Sequence, residues 1–251
     1  MRYEKSFIEN IIKQYELGLN STQLSKLYLV KEKTIGYWIR KYSTPRHKGP
    51  KSFIKNEDFF SKIDSEKKAY YLGWIMADGC VSTYANQYCL KLHIGFKDKI
   101  LIDQFLFEIG SINKTKFKPS NGNGSYYVSL TSKKMVCDLI KHGVIERKTG
   151  KETIPSTIPK LLIPHFIRGY FDGDGITDIV QNRSGFISSI EFLTQLQVIL
   201  NVNKKIISVN EKNTAYFLSG KKFSKLLYNY MYSNSNIHLT RKKYRLFKIQ
   251  R

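Results

Sequence analysis

The chain has 251 residues, with 42 Lys and Arg against 20 Asp and Glu, a formal charge of +22 and 41% hydrophobic content. That apolar fraction supports a packed core rather than disorder, and the length holds one medium domain plus a small one, or two similar halves. Three cysteines with no Cys-x-x-Cys pair argue against a structural zinc site and a disulfide framework. No apolar run reaches membrane-spanning length, and no signal-peptide core opens the chain, so an intracellular protein of the cytoplasm or an organellar matrix is expected, without a membrane partner.

Residues 1–44 read as a separate unit. Ile8, Ile11, Ile12 and Tyr15 repeat at helical spacing until Gly18-Leu-Asn20. Ser21 is placed to cap a second short helix carrying Leu24 and Leu27. After a turn at Leu29-Val30, a third helix is predicted from Lys31 to Tyr42, with Ile35, Trp38 and Ile39 inward. The pattern resembles a helix-turn-helix, which would send Lys31, Lys33, Thr34, Tyr37 and Arg40 toward DNA. As a plain three-helix packing unit, the same side chains would form a solvated basic face. Residues 45–57, rich in Pro, Gly and Lys, read as a linker.

Two similar runs follow. Tyr71-Leu-Gly-Trp-Ile-Met-Ala-Asp-Gly79 and Ile167-Arg-Gly-Tyr-Phe-Asp-Gly-Asp-Gly175 share an early Gly, a small residue four positions on, and a closing Asp-Gly. After the first, a strand from Gly79, a turn at Tyr84–Asn86 and a strand from Tyr88 to Phe96 are predicted. In the latter, Leu90, Leu92 and Ile94 alternate with Lys91 and His93. Next come a helix over Asp98–Gly110, a hairpin turning at Asn121–Gly124 and a helix over Ser132–Gly143. The hairpin's first arm sets Lys114, Lys116 and Lys118 on one face, and its second sets Tyr126, Val128 and Leu130 on the other.

After the second run the order repeats. Short strands are expected at Ile176–Ile179 and Phe186–Ser188 around a turn at Gln181–Gly185, then a helix over Glu191–Leu200. Strands flank Asn210–Asn213, and a helix runs from Lys221 to Tyr230. Arg183, Lys204 and Lys205 supply basic positions here. The short strands imply a smaller sheet and a reduced contact surface in this half. Arg147-Lys148-Thr149 and Arg241-Lys242-Lys243 fall in equivalent places, which favours an internal duplication.

Gly73 with Ala77, and Gly169 with Gly173, put small residues one turn apart on each helix. Such faces let two helix backbones approach closely, and a mid-helix glycine costing about 1 kcal/mol implies a contact that needs it. Packed side by side, the helices would bring Asp78 and Asp174 together at their negative C-terminal ends. Two carboxylates there repel, so one holds a proton or a cation sits between them. A hard divalent ion, completed by phosphate oxygens, suits metal-assisted phosphodiester hydrolysis.

The paired runs, with Ile154-Pro-Ser-Thr-Ile-Pro ahead of the second, resemble the single-chain LAGLIDADG homing endonucleases over about residues 58–245. The resemblance implies an α+β fold of two pseudo-symmetric αββαββα half-domains, 58–150 and 151–251, with saddle-shaped antiparallel sheets. It implies a monomer that cuts specific sites in double-stranded DNA with Mg2+. Asp78 and Asp174 match the family's metal-binding acids, with Gly79 and Gly175 beside them. Lys148 and Lys242 lie where members carry a basic residue near the scissile phosphates, Lys243 being the alternative to Lys242. Lys91, His93, Lys114, Lys116, Lys118, Arg183, Lys204 and Lys205 would then face the major groove. The sixth motif position is Met76 in one copy and Asp172 in the other; Asp172 is read as a capping or structural residue. A non-cleaving DNA-binding regulator and an RNA-binding intron maturase are the alternatives on the same fold.

Overall fold

The computed structural model describes residues 3–17, 19–43, 53–120, 124–209 and 213–250. The helix stop at Gly18, the greater part of the 45–57 linker, and the tips of both predicted hairpins (121–123 and 210–212) lie outside the described residues. The chain divides into two compact units, Met1–Lys51 and Ser52–Arg251.

The first unit holds α1 (Lys5–Glu16), α2 (Ser21–Tyr28) and α3 (Glu32–Tyr42). Ile11, Ile12, Tyr15, Leu24, Val30, Ile35, Trp38 and Ile39 form its core. Of the two leucines of α2, Leu24 is buried and Leu27 exposed. The cap of α2 is Asn20, not Ser21. Asn20 Oδ1 accepts the Gln23 amide at 2.9 Å and Gln23 Oε1 accepts the Asn20 amide at 2.9 Å, satisfying two otherwise unpaired donors. Leu29 turns the chain with a left-handed backbone, φ 52°.

The second unit repeats one order of elements. First come α4 (Glu66–Asp78), β1 (Gly79–Ser82), β2 (Cys89–Gly95), α5 (Lys99–Glu108), β3 (Lys116–Lys118), β4 (Ser125–Thr131) and α6 (Lys133–Lys141). Then come α7 (Ile163–Asp174), β5 (Gly175–Asp178), β6 (Arg183–Ser189), α8 (Ile190–Leu200), β7 (Ile207–Ser208), β8 (Thr214–Ser219) and α9 (Lys221–Tyr232), with a further helix, α10 (Thr240–Gln250). Each αββαββα repeat forms a four-stranded antiparallel sheet, ordered β1-β2-β4-β3 and β5-β6-β8-β7. Leu90, Leu92 and Ile94 turn into the core while Lys91 and His93 face out, as their alternation requires.

The expectation of a short second strand in the second repeat is corrected, although β7 and β8 are each one residue shorter than β3 and β4. β6 spans seven residues, as many as β2. Gly185 suggested a turn, but it lies inside β6 opposite Leu218. A Cβ there would stand 1.8 Å from the Phe217 carbonyl oxygen, so the glycine serves a close strand approach. The turn sits earlier, over residues 179–182, where Asn182 takes φ 51°.

Candidate active site

α4 and α7 cross at their glycines. A Cβ on Gly73 would stand 1.9 Å from the Phe166 carbonyl oxygen, and one on Gly169 would stand 1.9 Å from that of Tyr70. Each glycine therefore admits the backbone of the other helix. Further along, a Cβ on Gly173 would lie 2.5 Å from Ala77 Cβ and 3.0 Å from Asp78 Oδ2. Gly73, Ala77, Gly169 and Gly173 thus all lie in the crossing, which carries Asp78 and Asp174 to neighbouring helix ends. Gly79 and Gly175 leave the two helices in extended conformation, their amides still donating to Ile75 and Phe171.

The two carboxylates are held where ionisation is costly. Burial, reinforced by the charge of Asp174, pushes Asp78 up to about 7, against the opposing hydrogen bond from Trp74 Nε1 at 3.0 Å. Burial also raises Asp174, although Lys148 and Lys242 pull it down. Lys148 Nζ donates to the Ala77 carbonyl at 2.9 Å, and Lys242 Nζ donates to that of Gly175. Burial lowers Lys242 to about 8. Lys243 instead lies over the Tyr232 ring at 5.6 Å, so Lys242 is the one directed at the helix ends. The two basic triplets differ in setting: Lys148 sits in a loop behind a left-handed Arg147 (φ 50°), whereas Lys242 sits in the first turn of α10.

Would a divalent ion suit this place? Both donors are hard carboxylate oxygens whose raised pKa values a cation would reverse, and backbone carbonyls lie beside them. Among the described residues no three His, Cys, Asp or Glu side chains form a cluster fit for a metal. Water and other oxygen ligands would have to complete the shell, a composition that suits a hard divalent cation rather than zinc.

Two buried charged groups organise the surroundings: Arg168, which the sequence reading did not single out, and Asp172, which it read as a capping or structural residue. Arg168, fully buried, donates to Glu66 Oε1 (2.6 Å), the Met231 carbonyl (2.7 Å) and the Ile237 carbonyl (2.8 Å). Asp172 accepts from Tyr70 Oη (2.7 Å), Tyr232 Oη (3.1 Å) and the Leu239 amide (2.7 Å). Burial holds Asp172 at about 6 despite these donors. Asp172 thereby ties the approach to α10, the helix of Lys242, onto the α4–α7 pair. The available signal was a charged residue at a core phase of an apolar helix.

The remaining predicted residues lie elsewhere. Lys91 and His93 on β2, and Lys118 after Lys116 on β3, border a concavity of about 560 Å³ with Phe117 and Tyr127. His93 Nε2 is 2.6 Å from Ser125 Oγ. Lys114 precedes β3 in coil. Arg183 opens β6 and pairs with Asp178 at 3.4 Å. Lys204 and Lys205 are in coil before β7 rather than on a strand, because Gln197 binds both the amide and the carbonyl of Lys204. In the first unit Lys31, Lys33, Tyr37 and Arg40 are exposed and Thr34 half-buried, away from the core face of α3.

No family model matches the chain. A curated relative from Methanocaldococcus jannaschii, "Probable translation initiation factor IF-2", is 28% identical over 190 residues, covering 70% of this chain but 15% of that protein's length. Among solved structures, the homing endonuclease I-WcaI bound to its DNA recognition sequence matches with a TM-score of 0.53 at 16% identity, over 80% of this chain and 95% of that one. The LAGLIDADG meganuclease I-AabMI bound to uncleaved DNA matches with a TM-score of 0.48 at 12% identity, over 72% and 87%. With two αββαββα repeats meeting at a glycine-mediated helix pair, the chain has the fold of the LAGLIDADG homing endonucleases.

Proposed function

We propose that the chain is a site-specific, double-strand DNA endonuclease, working as a monomer with Mg2+ held between Asp78 and Asp174. The observation that carries this reading is the convergence of two half-buried carboxylates at one helix crossing, with a lysine from each repeat bonded to the same helix ends. When bound, a divalent cation supplies Lewis acidity toward a phosphodiester and stabilises the leaving oxygen. The residues of the chain do the rest. Asp78 and Asp174 hold the cation in place of a proton. Lys148 and Lys242 set positive charge on either side of the carboxylates, where phosphate oxygens would lie.

Duplex DNA as the substrate follows from charge and shape. The chain carries +22, and the solvent face of the first sheet presents Lys91, His93, Lys116 and Lys118. Phosphate contacts of this kind position a duplex, while groups on strands reach base edges. I-WcaI, the matching fold, is a DNA complex. The basic face of α3 extends the footprint as a helix-turn-helix-like element.

The test is selection of cut sites from a randomised duplex pool, in Mg2+ and in chelator. Cutting is expected in Mg2+ alone. Asp78→Asn and Asp174→Asn should each slow it by about two to three orders of magnitude while binding holds within severalfold. Wild-type rates in either variant would remove that aspartate from the chemistry.

A further inference from the structure

We propose that Asp98 and Arg241 form a clamp between the two repeats that positions Lys242, and through it the cutting of one DNA strand. This rests on the endonuclease reading above. Arg241 Nε donates to Asp98 Oδ1 at 2.7 Å and its Nη2 to Oδ2, a two-pronged fork across the repeats. Asp98 is nearly buried where a 3-10 turn (Phe96–Asp98) runs into α5, and its side chain makes no capping hydrogen bond. At the N-caps of α4, α6 and α8, by contrast, Ser65, Ser132 and Ser189 each accept a backbone amide. The carboxylate of Asp98 is bonded to Arg241 rather than to a backbone amide of α5.

The consequence falls on the next residue. Lys242 follows Arg241 in the first turn of α10 and reaches the Gly175 carbonyl beside Asp174. One turn on, Arg245 donates to Thr177 Oγ1 and to the Thr177 carbonyl, both at 2.9 Å. β5 therefore fixes the helix from the second repeat and Asp98 fixes it from the first, with Lys242 between the two attachments. The segment that follows Lys148 is tied to the second repeat by neutral groups. Ser189 Oγ donates to the Glu152 carbonyl and Asn213 Nδ2 to that of Gly150. Ser189 precedes α8 as Asp98 precedes α5, so the anchoring place is shared and its chemistry is not.

Arg241 is about half exposed, so its ion pair adds little to global stability. Position is another matter, since a displacement near 1 Å can cost about a hundredfold in rate. A lysine in place of Arg241 keeps the charge and loses the fork.

The experiment uses the full chain and a duplex recovered by the selection above, each strand separately end-labelled, under single-turnover conditions in Mg2+. Affinity is measured with Ca2+ in place of Mg2+. Asp98→Asn and Arg241→Lys are each expected to slow one strand by about tenfold or more, the strand slowed by Lys242→Met. Affinity and the rate of the other strand should stay within about twofold, and Asp98→Asn should add nothing in the Lys242→Met background. Equal slowing of both strands, loss of affinity, or additive effects with Lys242→Met would overturn the clamp. If Asp98→Asn fails to fold, Arg241→Lys on the exposed partner gives the same readout. A wild-type protein that cuts no selected duplex overturns the endonuclease reading and the clamp with it, whereas wild-type cutting with strand-symmetric slowing overturns the clamp alone.

Discussion

His142, at the end of α6, is buried with its ring between the Phe60 carbonyl and Thr157 Oγ1, each at 2.8 Å. A carbonyl can only accept, so Nε2 carries the hydrogen, while the Thr157 hydroxyl can either donate to Nδ1 or accept from it. Burial holds the imidazole pKa below the ordinary 6.5, which favours the neutral ring. The unfolded imidazole takes a proton at a higher pH than the folded one. Stability from this residue is thus complete above pH 6.5 and is lost as pH falls through the folded value. Between pH 7.5 and 5.5, urea unfolding of the wild type should lose more stability, or gain less, than that of His142→Gln. Parallel pH slopes for the two proteins would contradict this. The same residue scale separates what could be read in advance from what could not. Asp78 and Asp174 end two matching motifs and were visible. Asp98 looked like an ordinary helix start, because its partner lies 143 positions away.

At the scale of elements, the α4–α7 crossing sets the site, and it tolerates no side chain at its centre. Gly169→Val would drive carbon into the Tyr70 carbonyl, 1.9 Å from the new Cβ. A loss of at least about 4 kcal/mol is expected, read from urea unfolding. Gly36 in α3 is the control, its added Cβ meeting nothing nearer than Arg40 Nη1 at 3.7 Å. Gly36→Ala should gain about 0.5–1 kcal/mol from helix propensity. An equal loss in both variants would deny the crossing its special role. The αββαββα order was legible because alternation and helical spacing are local. β6 was cut short in the reading because Gly185 has a turn-former's identity but a packing role, set by β8 beside it.

The whole molecule joins two units with separate cores, one around Trp38 and one around the α4–α7 pair. Residues 52–251 should therefore keep their own unfolding transition when residues 1–51 are removed, as followed by circular dichroism. Duplex binding by the shortened chain should weaken and show a shallower dependence on salt, because fewer phosphates are neutralised. Equal affinity and slope would take the first unit out of DNA recognition.

The sequence by itself determined the repeat, the glycine-lined helices, the paired aspartates and the basic balance, since each is a matter of residue type and short spacing. Only the tertiary structure decided the full length of β6 and which of Lys242 and Lys243 reaches the end of α7. It also decided the work of Arg168, Asp172 and Asp98. The physical reason is common to all of them. Burial and long-range pairing give a side chain its partner, and neither has a period along the chain.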